Sequence, residues 1–309
     1  MKLRQAIERY LRLKQSLGFR FATDSQILKA FSQAMGPVQV GRVKPGLVRL
    51  YLDGNGPVTR NWERKWVALR GFYEFALGRG VVRRSPLPVW APKVARAFTP
   101  YVYSLEELRR LLEAIPSEGA GKGLTAPTFR TLLRLLYGTG LRISEALQLK
   151  KADVDLVEGL LWVRSSKFFK SRLVPIGPKL AQVLRDYAGH CSEVPDPNRP
   201  FFRTDQEAPL LCRTVERAFR KLRVKAEVKR TDGARYQPRL HDLRHAMATH
   251  CLVNGYRQGR DTHALLVQLS AYLGHVDLAG TQKYLTLTPE LREQASTRFA
   301  RYALGGAHE

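Results

Sequence analysis

Cysteine, acidic side chains and long apolar runs are all scarce in this 309-residue chain. The three cysteines, Cys191, Cys212 and Cys251, are an odd number without CxxC spacing. That argues against a disulfide framework or a zinc knuckle and fits an intracellular protein. No stretch approaches the roughly 18 apolar residues of a membrane span. The opening MKLRQAIERYLRLKQ is charged throughout and lacks the apolar segment of a secretory signal, so none is expected. Internal repeats and low-complexity segments are absent as well. The shortage of acid is the loudest signal, with 27 Asp and Glu against 52 Lys and Arg, a net charge of +25.

Residues 1–97 carry 19 basic and 5 acidic side chains, and residues 98–309 carry 33 and 22, so both parts are basic. Such an excess repels itself unless a polyanion offsets it, which makes nucleic acid the expected partner ahead of an anionic membrane surface. No block of Lys and Arg exceeds three residues. The charge therefore sits on folded elements and not on a basic tail.

Hydrophobic residues make up 44% of the chain, enough for a sizeable core, and its length suggests one or two domains. Helical periodicity predicts helices over 3–17, 23–35, 45–53 and 59–78. In the last, Trp62, Trp66, Leu69, Phe72 or Tyr73, and Ala76 form an apolar stripe, with Arg60, Arg64 and Arg70 opposite. Residues 81–103 hold four prolines and little period, which reads as a linker. Ser104 and Glu107 have capping-box spacing and open a new helix over 104–115. Two domains follow: helical residues 1–97, with the linker from about 81, and residues 98–309. The second is expected to hold helices 128–138, 142–149, 178–189, 212–227, 241–254, 262–273, 278–285 and 289–303. Short strands are expected near 160–164 and 172–176. The fold class is mainly α with a small antiparallel sheet.

Four stretches carry residues suited to chemistry. In GTGLRISEALQL (138–149), Arg142 opens a helix, against the preference of the helix dipole. Either Glu145, one turn on, or a bound anion must compensate; a plain surface ion pair is the simplest reading. RSSKFFKSRLVPI (164–176) reads as a hairpin with Lys167 and Lys170 at its turn, solvated or aimed into a groove as proton donors. HDLRHAMATH (241–250) places His241 and Arg244 on one helix face with His245 nearby. Three histidines raise the question of metal, but the zinc-protease pattern needs Glu where Asp242 stands. LGHVDLAGTQKYLTLTP (273–289) brings His275 and, nine residues later, Tyr284.

Taken together, two arginines, two histidines, a lysine and a tyrosine suit phosphodiester transesterification without metal. Planar guanidinium supplies bidentate donors to non-bridging oxygens. A tyrosine of pKa about 10 needs its proton taken or its phenolate favoured by cations.

With these boxes in order, the sequence resembles the tyrosine recombinase/integrase family over nearly its whole length, most closely from about 128 to 290. The family's first arginine box matches TGLRISEALQL at Arg142. Its hairpin pattern, aligned on RLVPI, puts the lysine at Lys167 and the second lysine at Lys170. Its H-x-x-R box gives His241 and Arg244, and its L-G-H box and tyrosine give His275 and Tyr284. Departures are Ser166 and Phe168 where glycines are common, Gly280 before the tyrosine, and a longer spacer before L-G-H. They suggest a subgroup, such as one carried by a mobile element.

The resemblance implies a C-shaped clamp of two domains on double-stranded DNA. It also implies Tyr284 as nucleophile, Arg142, Arg244 and His275 on the phosphate, His241 as proton acceptor, and Lys167 as proton donor to the leaving 5′ oxygen. Glu145 would orient Arg142. No metal or other cofactor is expected. Arg60, Arg64 and Arg70 (or merely a solvated face), with Lys170 and Arg172, are the expected DNA contacts. Four protomers on two DNA sites, or an assembly with related recombinases, would exchange strands through a Holliday junction. The tail from about 286 would dock on a neighbour. A cytoplasmic, nucleoid-associated protein is expected. Alternatives are a type IB topoisomerase, a non-catalytic accessory subunit, and a histidine-metal nuclease.

Overall fold

The computed structural model describes residues 1–19, 21–55, 58–92, 100–121, 123–164, 171–190, 196–234, 236–274 and 281. The chain divides into two compact units, Met1–Ala97 and Phe98–Glu309.

The first unit is built from α1 (Leu3–Ser16), α2 (Ala22–Met35), α3 (Pro45–Asp53) and α4 (Arg60–Gly78). Leu3, Ala6, Ile7, Tyr10 and Leu11 recur at helical spacing on α1 and are all buried. They meet Trp62, Leu69, Phe72, Tyr73 and Ala76 of α4, with the Tyr10 and Phe72 rings edge to face at 5.9 Å. Gly71 makes this approach possible, because a Cβ there would lie 2.8 Å from the Tyr10 hydroxyl. The predicted linker differs in its first part. Residues 81–92 form no helix or strand, as their prolines require, but Val82 is buried and Val81, Leu87 and Ala91 pack on the first core. The Trp66 indole N–H donates to the Pro88 carbonyl at 3.1 Å. Apolar spacing within an irregular segment has no period to read, so this anchoring was invisible in the sequence. Residues 93–99 lie outside the described residues.

The second unit contains α5 (Leu105–Glu113), α6 (Ala126–Thr139), α7 (Ile143–Gln148), α8 (Pro178–Gly189), α9 (Cys212–Lys225), α10 (Asp242–Arg257) and α11 (Thr262–Leu273). Its sheet is antiparallel in the order β1 (Val154–Asp155), β2 (Leu160–Val163), β3 (Arg172–Pro175). The Ser104–Glu107 capping box is present in both directions, at 3.1 and 2.9 Å. α6 is the central helix: Phe129, Leu132, Leu133, Leu135 and Leu136 are buried on several of its sides. Leu161 of β2 faces Val174 of β3 and both are fully buried, whereas the next pair, Trp162 and Leu173, is exposed. This alternation fixes the register of the hairpin. The two-residue β1 adds to the two expected strands; so short a strand carries no readable alternation. The predicted helices 278–285 and 289–303 and the tail from about 286 lie outside the described residues, apart from Thr281. No helix among the described residues is long and apolar enough to cross a membrane.

Candidate active site

The site begins where α6 stops. Gly140 caps that helix in the left-handed conformation at φ +62°, its N–H donating to Leu136 O at 2.9 Å. A Cβ at Gly140 would stand 2.7 Å from Met247 Cε and 2.8 Å from Leu273 Cδ2. Gly140→Ala is therefore expected to lose about 2 kcal/mol or more, the left-handed cost alone being roughly 1–2 kcal/mol. A shift of the urea midpoint at unchanged slope measures it; an unmoved midpoint contradicts the packing described.

Two residues on, Arg142 is the N-cap of α7, at the end where the helix dipole disfavours a cation. Glu145 provides the compensation that its position demands. It accepts from the Arg142 backbone N–H at 3.0 Å and from Arg142 Nη1 at 2.7 Å. From β3, Arg172 adds Nη2 to Glu145 Oε2 at 2.9 Å and a longer Nη1 to Oε1 at 3.3 Å. Burial alone would push the Glu145 carboxyl up. The bond and charge of Arg172, and then the backbone bond and charge of Arg142, outweigh it and hold the pKa at about 2. Arg142 keeps 27% of its side chain exposed, against 5% for Glu145, so its guanidinium retains a free side.

Arg244, on α10, is 2% exposed. Its Nη1 donates to Gly140 O at 2.6 Å and its Nη2 to Leu273 O at 2.7 Å. One guanidinium thus joins the turn that leads to Arg142 and the end of α11. The start of α10 is fixed in turn by Asp242, which is buried and accepts from Arg239 N at 2.8 Å and Arg239 Nη2 at 3.1 Å. Tyr103 Oη donates to the Arg239 carbonyl at 3.0 Å. His241 stands just ahead of this start, exposed, with its ring edge-on to His245 at 5.2 Å between centroids. Its pKa lies below the ordinary imidazole value, through desolvation first and then the Arg244 charge, with Arg239 and Arg142 adding to it and Asp242 opposing. A neutral imidazole at pH 7 is an acceptor.

Arg142, Glu145, His241 and Arg244, spread over 103 residues of sequence, meet in one place. Arg172 joins them with its Nε, Nη1 and Nη2 engaged on Tyr272 O and Glu145. Arg60, Arg64 and Arg70 are exposed on α4, and Arg70 pairs with Glu74 at 3.4 Å while lying over the Trp66 ring. Lys167, Lys170, His275 and Tyr284 lie outside the described residues. The carbonyls of Gly140, Tyr272 and Leu273 leave no mark in the sequence, because backbone acceptors have no residue signature. Gly274, at φ +65° directly after them, is the one local mark of that turn.

The phage integrase family model matches residues 103–290, more than half of the chain. The chain belongs to the phage integrase family. An integrase/recombinase of Sinorhizobium fredii is 34% identical over 310 residues, covering 96% of this chain and 97% of its own. The tyrosine recombinase XerC of Chlorobaculum tepidum is 33% identical over 306 residues, covering 91% and 84%. The integrase match takes in all seven of Arg142, Lys167, Arg172, His241, Arg244, His275 and Tyr284. The four N-terminal helices fall outside it. Among solved structures, lambda integrase residues 75–356, a dimer bound to a COC′ core site, superposes with a TM-score of 0.65 at 18% identity, covering 91% of this chain and 97% of that one. The Tn1549 transposon integrase in complex with a circular intermediate DNA gives 0.68 at 15%, covering 92% and 95%. At these identities the structures establish the integrase fold: mainly helical, with a small antiparallel sheet.

Proposed function

We propose that this chain cuts and rejoins duplex DNA with Tyr284 as nucleophile and with Arg142, Arg244, His241, His275 and Lys167 around the scissile phosphate. The chain is a tyrosine-type site-specific recombinase. One observation carries it: Arg244 bonds Gly140 O, two residues before Arg142, while Arg142 keeps a free side in a site that also holds His241. Fixed cations at such a point stabilise charge that builds on non-bridging oxygens without reorganising.

The Tyr284 oxygen bonds to phosphorus and the P–O5′ bond breaks. The phenolic proton goes to His241, and the leaving 5′ oxygen takes a proton from Lys167. A 3′-phosphotyrosyl link and a 5′-hydroxyl result. A 5′-hydroxyl from the partner strand then attacks, the tyrosine leaves, and the number of phosphate esters is unchanged, so no ATP is consumed. Double-stranded DNA is the partner. Four protomers on two sites act through a Holliday junction, as homo-tetramer or with related recombinases, in the cytoplasm at the nucleoid. A lambda integrase tetramer bound to a Holliday junction, superposing with a TM-score of 0.66, supports that assembly. Relaxation by a monomeric topoisomerase is disfavoured, because relatives aligned over nearly the full chain are recombinases.

A nicked suicide DNA substrate, whose short downstream fragment bearing the freed 5′-hydroxyl diffuses away after cleavage, tests the proposal. The expected product is a covalent protein–DNA adduct that survives SDS and forms equally in EDTA. Binding should weaken roughly 10³-fold or more between 50 and 200 mM salt if six or more phosphates are contacted. No adduct on any nicked substrate containing the native target, or an adduct abolished by chelation, refutes the proposal.

A further inference from the structure

Arg172 stands on β3, the return strand of the hairpin, where its charge suggests a contact to DNA. The structure gives its guanidinium other work. Nε donates to Tyr272 O at 3.0 Å, Nη2 to Glu145 Oε2 at 2.9 Å and Nη1 to Glu145 Oε1 at 3.3 Å, and only 12% of the side chain is exposed. Nε, Nη1 and Nη2 are thus all engaged on a carboxylate and a carbonyl that belong to two other elements. Gly274 is shaped around it: a Cβ there would lie 2.9 Å from Nη1 and 3.0 Å from Cζ of Arg172.

Following the bonds closes a ring. Arg142 bonds Glu145, Glu145 bonds Arg172, and Arg172 bonds Tyr272 O. The neighbouring Leu273 O bonds Arg244, and Arg244 bonds Gly140 O, two residues before Arg142. We infer that Arg172 is a positioning residue, the shared partner through which β3, the arginine at the start of α7 and the end of α11 keep one register. It acts on the reaction through Glu145, which presents Arg142. This rests on the reading of Arg142 as a phosphate ligand.

The electrostatics give the ring a measurable signature. The charged groups facing Glu145 are Arg142 on its own helix and Arg172 from β3, with His241 and Arg244 of α10 beside Arg142. Glu145 is depressed from 4.5 to about 2, so its ionised contribution is complete above 4.5 and is lost only as pH falls through about 2. Without Arg172, burial regains weight and the carboxyl rises. A protonated Glu145 no longer accepts from both the N–H and the Nη1 of Arg142. The loss therefore moves to higher pH.

The test compares the full-length wild type with Arg172→Met, Arg172→Lys, Glu145→Gln and the Arg172→Met/Glu145→Gln double variant. Adduct formation is timed on saturating suicide substrate from pH 5.5 to 8.5, beside DNA affinity and thermal unfolding without DNA over the same range. For Arg172→Met we expect affinity within about twofold, and adduct formation slowed about tenfold at pH 8.5 and about a hundredfold at pH 5.5, the range for groups that orient a ligand. The double variant should be no slower than Glu145→Gln, and Arg172→Lys, which keeps the charge, should restore the acid side. Should the methionine variant not fold, the lysine variant decides, by a slowed rate with a wild-type pH profile. Weaker binding with a smaller salt slope and an unchanged saturated rate would make Arg172 a DNA contact and overturn the inference. So would a loss that is equal at every pH and additive with Glu145→Gln. If the wild type itself gives no adduct, the recombinase reading fails. The unfolding series still decides the coupling: a midpoint falling more steeply toward pH 5.5 in Arg172→Met supports it, and parallel curves refute it.

Discussion

Tyr284→Phe is expected to abolish the covalent adduct, to below detection, while DNA affinity stays within about twofold of wild type. The exchange removes one oxygen and no charge. Affinity for duplex DNA comes mainly from cations meeting phosphates, and the chain carries 52 Lys and Arg with a net charge of +25. The phenolic oxygen is the only atom of that side chain able to bond phosphorus, so the effect on chemistry is absolute where the effect on binding is small. Gel shift and suicide-substrate trapping on one preparation separate the two. An adduct of undiminished yield in the phenylalanine variant would move the nucleophile elsewhere. An equal loss of binding would mean that the tyrosine serves the interface and not the chemistry.

Arg244→Ala is expected to slow adduct formation by at least about a thousandfold and to destabilise the second unit by roughly 2–5 kcal/mol. Both effects have one origin. The guanidinium is 2% exposed and donates to Gly140 O and Leu273 O at 2.6 and 2.7 Å. Truncation leaves two carbonyls without these donors, each costing about 1–3 kcal/mol when buried. It also frees the turn that carries Arg142 and the residues that lead to His275. Loss of one transition-state donor alone is worth about 10²–10³ in rate, and displacement of a second arginine adds to it. Arg244→Lys keeps the charge but not the planar fork that reaches two carbonyls at once. It should recover part of the stability and little of the rate. Urea unfolding and single-turnover trapping are the measurements. An alanine variant of wild-type stability and rate would show that the ring of bonds around Gly140 is not what holds the site.

Whatever depends on neighbours along the chain was legible beforehand. The α1 and α4 stripes, the Ser104–Glu107 box and the Arg142–Glu145 pair all join residues within a turn or two, where the helical period itself places one side chain over the next. The motif boxes were legible for the same reason, each being a short stretch with internal spacing. The basic balance of both units needed only counting.

Tertiary structure alone decided the rest. Arg172 to Glu145 spans 27 residues, Arg172 to Tyr272 O spans 100, and Arg244 to Gly140 O spans 104. No periodicity links positions so far apart, and two of the three acceptors are backbone carbonyls, which every residue possesses. By itself the sequence determined that this is a basic, mainly helical, two-part chain of the integrase family, with its boxes in order. That Arg172 of β3 shares the Glu145 carboxylate with Arg142 and reaches the Tyr272 carbonyl followed only from packing, because a guanidinium's partners are set by what the fold brings within hydrogen-bond reach of its nitrogens.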